Sequence, residues 1–258
     1  MFDLNLWLTG LAALAGVAVI GWLVSIPLRN VSIVDSLWSL MFLLAAATYL
    51  SVSGSNTPRA LLLVALVALW AIRLAAYITW RNHGEGEDRR YQQIRQNNDP
   101  GFVWKSFFIV FGLQALLAWV ISLPLLAAIN SKADIGLFDL AGVALWFIGI
   151  VFEAGGDYQL YAFKADPANK GKVMDKGLWR YTRHPNYFGD FCIWWGFYLI
   201  ALGAGGWWSI IAPLIMSFLL LKVSGVAMLE KDIGERRPKY REYIARTNAF
   251  FPGPPKSA

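Results

Sequence analysis

Apolar residues fall in long runs along this chain, with polar residues gathered between them. Seven runs stand out, at about Leu4–Leu28, Ile33–Val52, Pro58–Trp80, Trp104–Ala128, Leu137–Asp157, Pro185–Leu202 and Trp207–Met228. Each is close to the roughly 20 residues that carry a helix across a bilayer core of ~30 Å. The pattern predicts an all-α polytopic membrane protein with seven transmembrane helices. The first run lacks a basic start and a small-residue cleavage site, so it reads as a retained span and not as a signal peptide. There is no internal repeat, and the simplest organisation is one membrane-embedded domain over residues 1–258. Its C-terminal half, mainly 150–252, carries the long polar segments. Pro252-Gly253-Pro254-Pro255 begins a tail, about 253–258, that is expected to be flexible.

Composition agrees. The chain is 57% hydrophobic and 16% charged, where a soluble domain carries about 25% charge. Thirteen Trp and ten Tyr suit two membrane–water interfaces. Cys192 stands alone, which excludes an internal disulfide and a multi-cysteine metal site. With only His83 and His184, a histidine-rich metal site is not expected either. The basic residues alternate between connections. Arg81, Arg89, Arg90 and Arg95 follow span three, and Lys164, Lys170, Lys172, Lys176, Arg180 and Arg183 follow span five. The tail adds seven more from Lys231 to Lys256, whereas the alternate connections hold only Arg59 and Lys132. The positive-inside rule then places the N-terminus outside and the C-terminus in the cytosol. Nucleic acid is a poor explanation of the +6 net charge, because the cations are tied to membrane edges. A short, loop-poor chain points to a bacterial inner membrane, and an endoplasmic reticulum protein would share the pattern.

Ionisable residues inside spans are costly and tend to mark function. Asp35, Arg73, Glu153, Asp157, Asp190, Lys222 and Glu230 all fall toward the cytosolic side on this topology. That bias predicts a polar cavity open to the cytosol. Snorkelling toward the interface accounts for Glu230 and Asp35, but poorly for the short side chain of Asp190.

The most specific segment runs from Gly177 to Asp190, Gly-Leu-Trp-Arg-Tyr-Thr-Arg-His-Pro-Asn-Tyr-Phe-Gly-Asp. Pro185 suits a first helical turn, whose bare N–H groups and dipole favour an anion. Arg180, Arg183 and His184 add cationic donors there, so a phosphate-bearing ligand is expected. Headgroup anchoring would explain the cations, but not Asn186 and Asp190 stacked one turn apart. Gly189 allows close approach of a ligand or a helix. No G-x-G-x-x-G fingerprint or Walker loop is present.

This segment resembles the C-terminal signature of the steroid 5α-reductase family, and is similar to that of the sterol C14-reductases. The closest resemblance is to the bacterial branch known as DUF1295. Val34-Asp35-Ser36-Leu37-Trp38, Leu69 to Leu74, Gly86 to Tyr91, Gly156-Asp157-Tyr158-Gln159 and Pro238 to Tyr243 fit that branch, over about residues 30 to 252. The resemblance implies a membrane reductase that takes NADPH from the cytosol. It would reduce a carbon–carbon double bond conjugated to a ketone in an apolar, steroid-like or other lipid substrate arriving from the bilayer. It places Asp157, Lys164, Tyr181, Asn186, Asp190 and Arg241 near the dinucleotide. Tyr187, Glu230, Arg237 and Tyr240 complete the candidate nucleotide contacts. Arg73 falls where the family has an arginine in its third helix, and Asp35 near the acid that lies close to the ketone. The order Val34-Asp35 replaces the family's Gln-Glu pair, and Trp70 stands where a Tyr is usual, so the polarising acid stays open among Asp35, Tyr91 and Tyr77. The chemistry requires hydride delivery to the β-carbon, a hydrogen bond to the developing enolate, and protonation of the α-carbon.

Two rivals have distinct signatures. An isoprenylcysteine- or phospholipid-type methyltransferase shares Arg-His-Pro-x-Tyr-x-Gly and binds S-adenosylmethionine, but carries a bulky apolar residue where Asp190 stands. A non-enzymatic lipid or sterol binder would use the same cations as headgroup contacts.

Overall fold

Polar side chains decide where several helices begin. In the computed structural model, which describes residues 2–223, 226, 230 and 239–256, Asp3 accepts the Leu6 N–H at 3.0 Å and opens α1 (Leu4–Leu28). Thr57 accepts the Ala60 N–H, with Pro58 in the first turn, at the head of α3 (Pro58–Asn82). Asp88 caps α4 (Arg89–Asn98). Such a cap satisfies an N–H that helix geometry leaves bare and contributes about 1 kcal/mol. The other helices are α2 (Ile33–Ser53), α5 (Phe102–Ser106), α6 (Leu113–Ile121), α7 (Leu123–Ile129), α8 (Leu137–Ala165), α9 (Pro185–Gly203), α10 (Ile211–Phe218) and α11 (Lys239–Arg246). No strand occurs among the described residues.

Among the described residues, five stretches are long and apolar enough to cross a membrane: α1, α2, α3, the run Phe102–Ile121 and α8. Phe102–Ile121 joins α5 to α6 through a π-helical turn, Phe107–Gly112. The fourth expected span is therefore shorter than its apolar run. It stops at Ser122, and α7 restarts with Pro124 in its first turn. Proline has no N–H to donate and its ring crowds the preceding turn, so the helix breaks here. The last two expected spans are of a different kind. α9 carries Asn186 and Asp190 near its start. Trp207–Val223 is apolar but shorter, a 3-10 turn, α10 and a π-helical turn in series. Its expected end at Met228 lies outside the described residues.

The chain divides into two compact units. The first comprises Met1–Gly136 with Ala201–Ser209. Here α1 and α2 meet at glycines: a Cβ on Gly10 would lie 2.5 Å from the Tyr49 ring, and one on Gly21 2.6 Å from Leu37. The buried Tyr49 hydroxyl hydrogen-bonds Ser122 at 2.8 Å, which ties α2 to the break in the fourth span. Trp7 and Trp119 stack at 3.7 Å, and each indole N–H donates to the other's carbonyl, at 3.4 and 2.8 Å. Buried Arg59 donates to the Ala133 and Asp134 carbonyls at 2.7 and 2.5 Å and closes the loop before α8.

The second unit comprises Leu137–Ile200 with Ile210–Ala258. Gly142, Gly149 and Gly156 recur every seventh residue along α8, as Gly189 and Gly196 do along α9. A Cβ on Gly142 would lie 2.6 Å from the Gly196 carbonyl oxygen, and one on Gly149 2.6 Å from that of Gly189. A Cβ on Gly196 would lie 2.7 Å from the Gly142 carbonyl, and one on Gly189 would collide with the Glu153 backbone nitrogen. The two backbones touch at these glycines, with the Ile193, Ile200 and Glu153 side chains packed beside the contacts. Close approach of this kind is held by dispersion and weak Cα–H···O contacts, the forces left to helices in lipid.

Gly149→Ala and Gly189→Ala are each expected to destabilise the protein by about 1–3 kcal/mol through overpacking. Gly16→Ala in α1, where a Cβ meets nothing within 4 Å, should be neutral or gain up to ~1 kcal/mol of helix propensity. Thermal unfolding of the three variants in one detergent checks this ordering.

Candidate functional site

The glycine crossing delivers the start of α9 directly onto α8. A Cβ on Gly156 would lie 3.0 Å from the Pro185 ring and 3.2 Å from the Asn186 amide nitrogen. The next residue along α8, buried Asp157, accepts a hydrogen bond from the Asn186 side-chain amide at 3.2 Å. Glu153 is buried one turn earlier on α8, and Asp190 lies one turn further along α9. Four polar side chains thus flank a seam that is otherwise backbone and hydrocarbon.

The segment before α9 is fastened from both sides. The Trp179 indole donates to the Gly156 carbonyl at 3.0 Å, and Gln159 accepts the Leu178 N–H at 2.9 Å. Gly177 turns the chain at φ +58°, and a Cβ there would lie 2.6 Å from Gln159. The Tyr243 hydroxyl on α11 donates to the Trp179 carbonyl. The last described residues make further hydrogen bonds to this region. Thr182 donates to the Phe250 carbonyl at 2.7 Å, the Gly253 N–H to Tyr181 at 3.1 Å, and the Lys256 N–H to Arg246 at 2.8 Å.

Arg183 and His184, expected as donors to an anionic ligand, converge on one carboxylate of the chain itself. The Arg183 guanidinium grips Glu230 with Nε and Nη2, at 2.6 and 2.8 Å, and its Nη1 donates to the Ile244 and Thr247 carbonyls. His184 Nε2 lies 2.9 Å from Glu230, and its ring stacks on Tyr187 at 5.7 Å. Burial alone would raise the Glu230 pKa. The hydrogen bonds from Arg183 and His184, with the guanidinium charge, outweigh it and bring the carboxyl down to about 2.

A second polar cluster lies in the first unit. Asp35, in the first turn of α2, accepts from Arg90 at 2.7 Å and from the Tyr91 hydroxyl at 2.6 Å. The Gln114 side-chain amide donates to that hydroxyl at 3.2 Å. Arg90 is steadied by Asp88 at 3.0 Å, and Glu87 holds Arg95 with two hydrogen bonds, at 2.9 and 2.7 Å. Burial, and then the negative charge of Asp35, push the Tyr91 hydroxyl well above its ordinary range. A polar cleft of about 560 Å³ lies beside this network, lined among others by Ser32, Ser36, Thr79 and Asp88.

The structure therefore joins Asp35 to Tyr91 and Asp157 to Asn186. Arg73 lies on α3 with its guanidinium 5.9 Å from the Tyr77 ring, and Arg81 approaches the same ring at 5.7 Å. Lys164 closes α8 and is exposed, as are Arg180, Tyr181 and Arg241. Tyr240 is buried edge-on against Tyr243 at 5.2 Å. Arg237 lies outside the described residues. Gln114 was missed from the sequence, and Arg90, Trp179, Gln159 and Tyr243 stood there within longer segments with no site role of their own. Gln114 left a signal, as the single amide in the apolar run from Phe107 to Val120.

The Glu230 knot makes acid stability testable. Its folded pKa lies below the unfolded value, so its stabilisation is present in full above pH about 4.5 and is lost as the pH falls through about 2. Glu230→Gln is expected to cost about 3 kcal/mol at neutral pH. The deficit relative to wild type should stay constant down to about pH 5 and narrow below it, as unfolding titrations across that range would record.

A family model described as "Protein of unknown function (DUF1295)" matches residues 21–247. An uncharacterized protein of Schizosaccharomyces pombe, C594.04c, is 28% identical over 266 residues, covering 90% of this chain and 75% of the relative. No solved structure matches the chain. With most of its length, from within α1 to the end of α11, matched to one family model, the chain belongs to the DUF1295 family.

Proposed function

We propose that this protein is a seven-span membrane reductase, with its N-terminus outside and its basic segments in the cytosol. In this reading it uses NADPH to reduce a carbon–carbon double bond conjugated to a ketone in an apolar, steroid-like or other lipid substrate. The observation that carries the reading is the Asp157–Asn186 hydrogen bond at the head of α9. Two residues that the reductase signature assigns to the dinucleotide come from different helices and meet side by side. The donor set fits such a ligand in part. A carboxylate and a carboxamide suit ribose hydroxyls and a nicotinamide amide, and exposed Arg180 suits a phosphate. Arg183 and His184 are committed to Glu230, so their part is to fix the segment that presents Arg180 and Asn186.

NADPH, when bound, supplies the hydride. The chain's own contribution is acid chemistry and order. Tyr91 keeps its proton at neutral pH because burial and Asp35 both disfavour the phenolate. Its single proton is donated in a hydrogen bond to Asp35 in this arrangement, so polarising a ketone oxygen as enolate charge develops requires the hydroxyl to turn from Asp35 to the substrate. Asp35 and Gln114 fix that hydroxyl from two sides, and Arg90 fixes Asp35.

Titration of the purified protein with NADPH, NADH and S-adenosylmethionine tests the reading. NADPH is expected to bind, and Asn186→Ala or Asp190→Ala to weaken it by about tenfold. An enone product should gain two hydrogens by mass, and Tyr91→Phe should slow its formation by about 10²-fold. Tight retention of S-adenosylmethionine with no NADPH binding would sink the proposal in favour of a methyltransferase.

A further inference from the structure

With Arg183 and His184 held by Glu230, a further group of cations in the second unit begins one turn away, at Arg180. A cleft of about 360 Å³ is lined by Asp175, Lys176, Gly177, Arg180, Arg246, Thr247 and Pro255. Three separate segments build it. Residues 175–180 are held by Gln159, Trp179 and Tyr243. Thr247 is buried at the end of α11, and its carbonyl takes the Arg183 guanidinium. Pro255 is set in place by the Lys256 N–H on the Arg246 carbonyl.

The charges in this cleft do not cancel. Arg246 pairs with Asp175. Lys176 and Arg180 make no hydrogen bond or ion pair among the described residues, although both line the cleft. Three cations face one carboxylate, a net of two positive charges. A phosphodiester, with one negative charge, would leave half of this unbalanced. A phosphomonoester carries roughly −1.5 to −2 at pH 7, because its second pKa is about 6, and offers three acceptor oxygens. Lys and Arg donors suit those oxygens, and Arg can meet two at once.

We propose that the cleft formed by Lys176, Arg180 and Arg246 binds a phosphomonoester dianion. Two sources share that chemistry: the 2′-phosphate of a nucleotide, and the headgroup of a phosphomonoester lipid at the membrane surface. The inference concerns the phosphate alone and does not depend on the reductase reading.

The test uses the full-length protein in neutral detergent. One arm measures calorimetric binding of adenosine 2′-monophosphate against adenosine. The other measures retention of phosphatidate against phosphatidylcholine by native mass spectrometry. Both are repeated with Lys176→Ala/Arg180→Ala, which removes two exposed side chains that have no partner among the described residues, and at pH 5.5. At least one phosphomonoester should bind at pH 7.5, and the double variant should bind it about tenfold or more weakly. Binding should also weaken at pH 5.5, where the ligand loses charge. Retention of phosphatidate alone would support the cleft and name the lipid as the source, while counting against a dinucleotide there. Binding of neither phosphomonoester, or equal binding by wild type and double variant, would overturn the proposal.

Discussion

Everything in the second unit depends on two helices whose backbones touch. A helix pair in lipid has no hydrophobic drive to associate, so close contact must supply the energy there. The glycines at every seventh position form a strip of contact points where the two backbones touch, with the Ile193, Ile200 and Glu153 side chains packed beside them. A side chain at Gly142, Gly149, Gly189 or Gly196 would push the helices apart, and the polar pair beyond them would separate with them. The Asp157–Asn186 hydrogen bond is 3.2 Å long because Gly156 lets the Asn186 backbone come within van der Waals reach of α8. Packing and chemistry are here the same constraint.

The polar residues outside the strip follow a second rule, that buried charge is matched. Glu230 collects Arg183 and His184, Asp35 collects Arg90 and Tyr91, and Arg59 is satisfied by loop carbonyls. Each cluster joins elements far apart in sequence, so each acts as a clamp as well as a chemical group. Breaking one partner leaves the other buried without compensation, which costs more than the pair contributes when intact. Lys176 and Arg180, which have no such partner among the described residues, sit at exposed positions.

Long apolar runs made the helical, membrane-type fold legible, because span length and hydrophobicity are local properties. The Asp157, Asn186 and Asp35 positions were legible for a similar reason, since a carboxylate or amide in an apolar run stands out. The break at Ser122 was written in Pro124, but the apolar run continued past it and hid the stop. Arg183 and His184 were read as free cations because their partner, Glu230, lies 47 and 46 residues away. Sequence spacing does not report a pairing over that distance. The glycine strip was visible in principle as a period of seven. Gly189 alone drew notice, because the period becomes meaningful only when a second helix carries its complement.

The central claim is that this glycine-set geometry holds a dinucleotide site. Gly156→Ala probes it most directly, because the added methyl displaces Asn186 by only a few tenths of an ångström and leaves the site's polar residues unchanged. The measurement is NADPH affinity of wild type and Gly156→Ala, side by side, in matched folded preparations. The account predicts that wild type binds NADPH and that the variant binds it about fivefold or more weakly, the loss of one hydrogen bond. Equal affinity in the two proteins, or no binding by wild type, would contradict it.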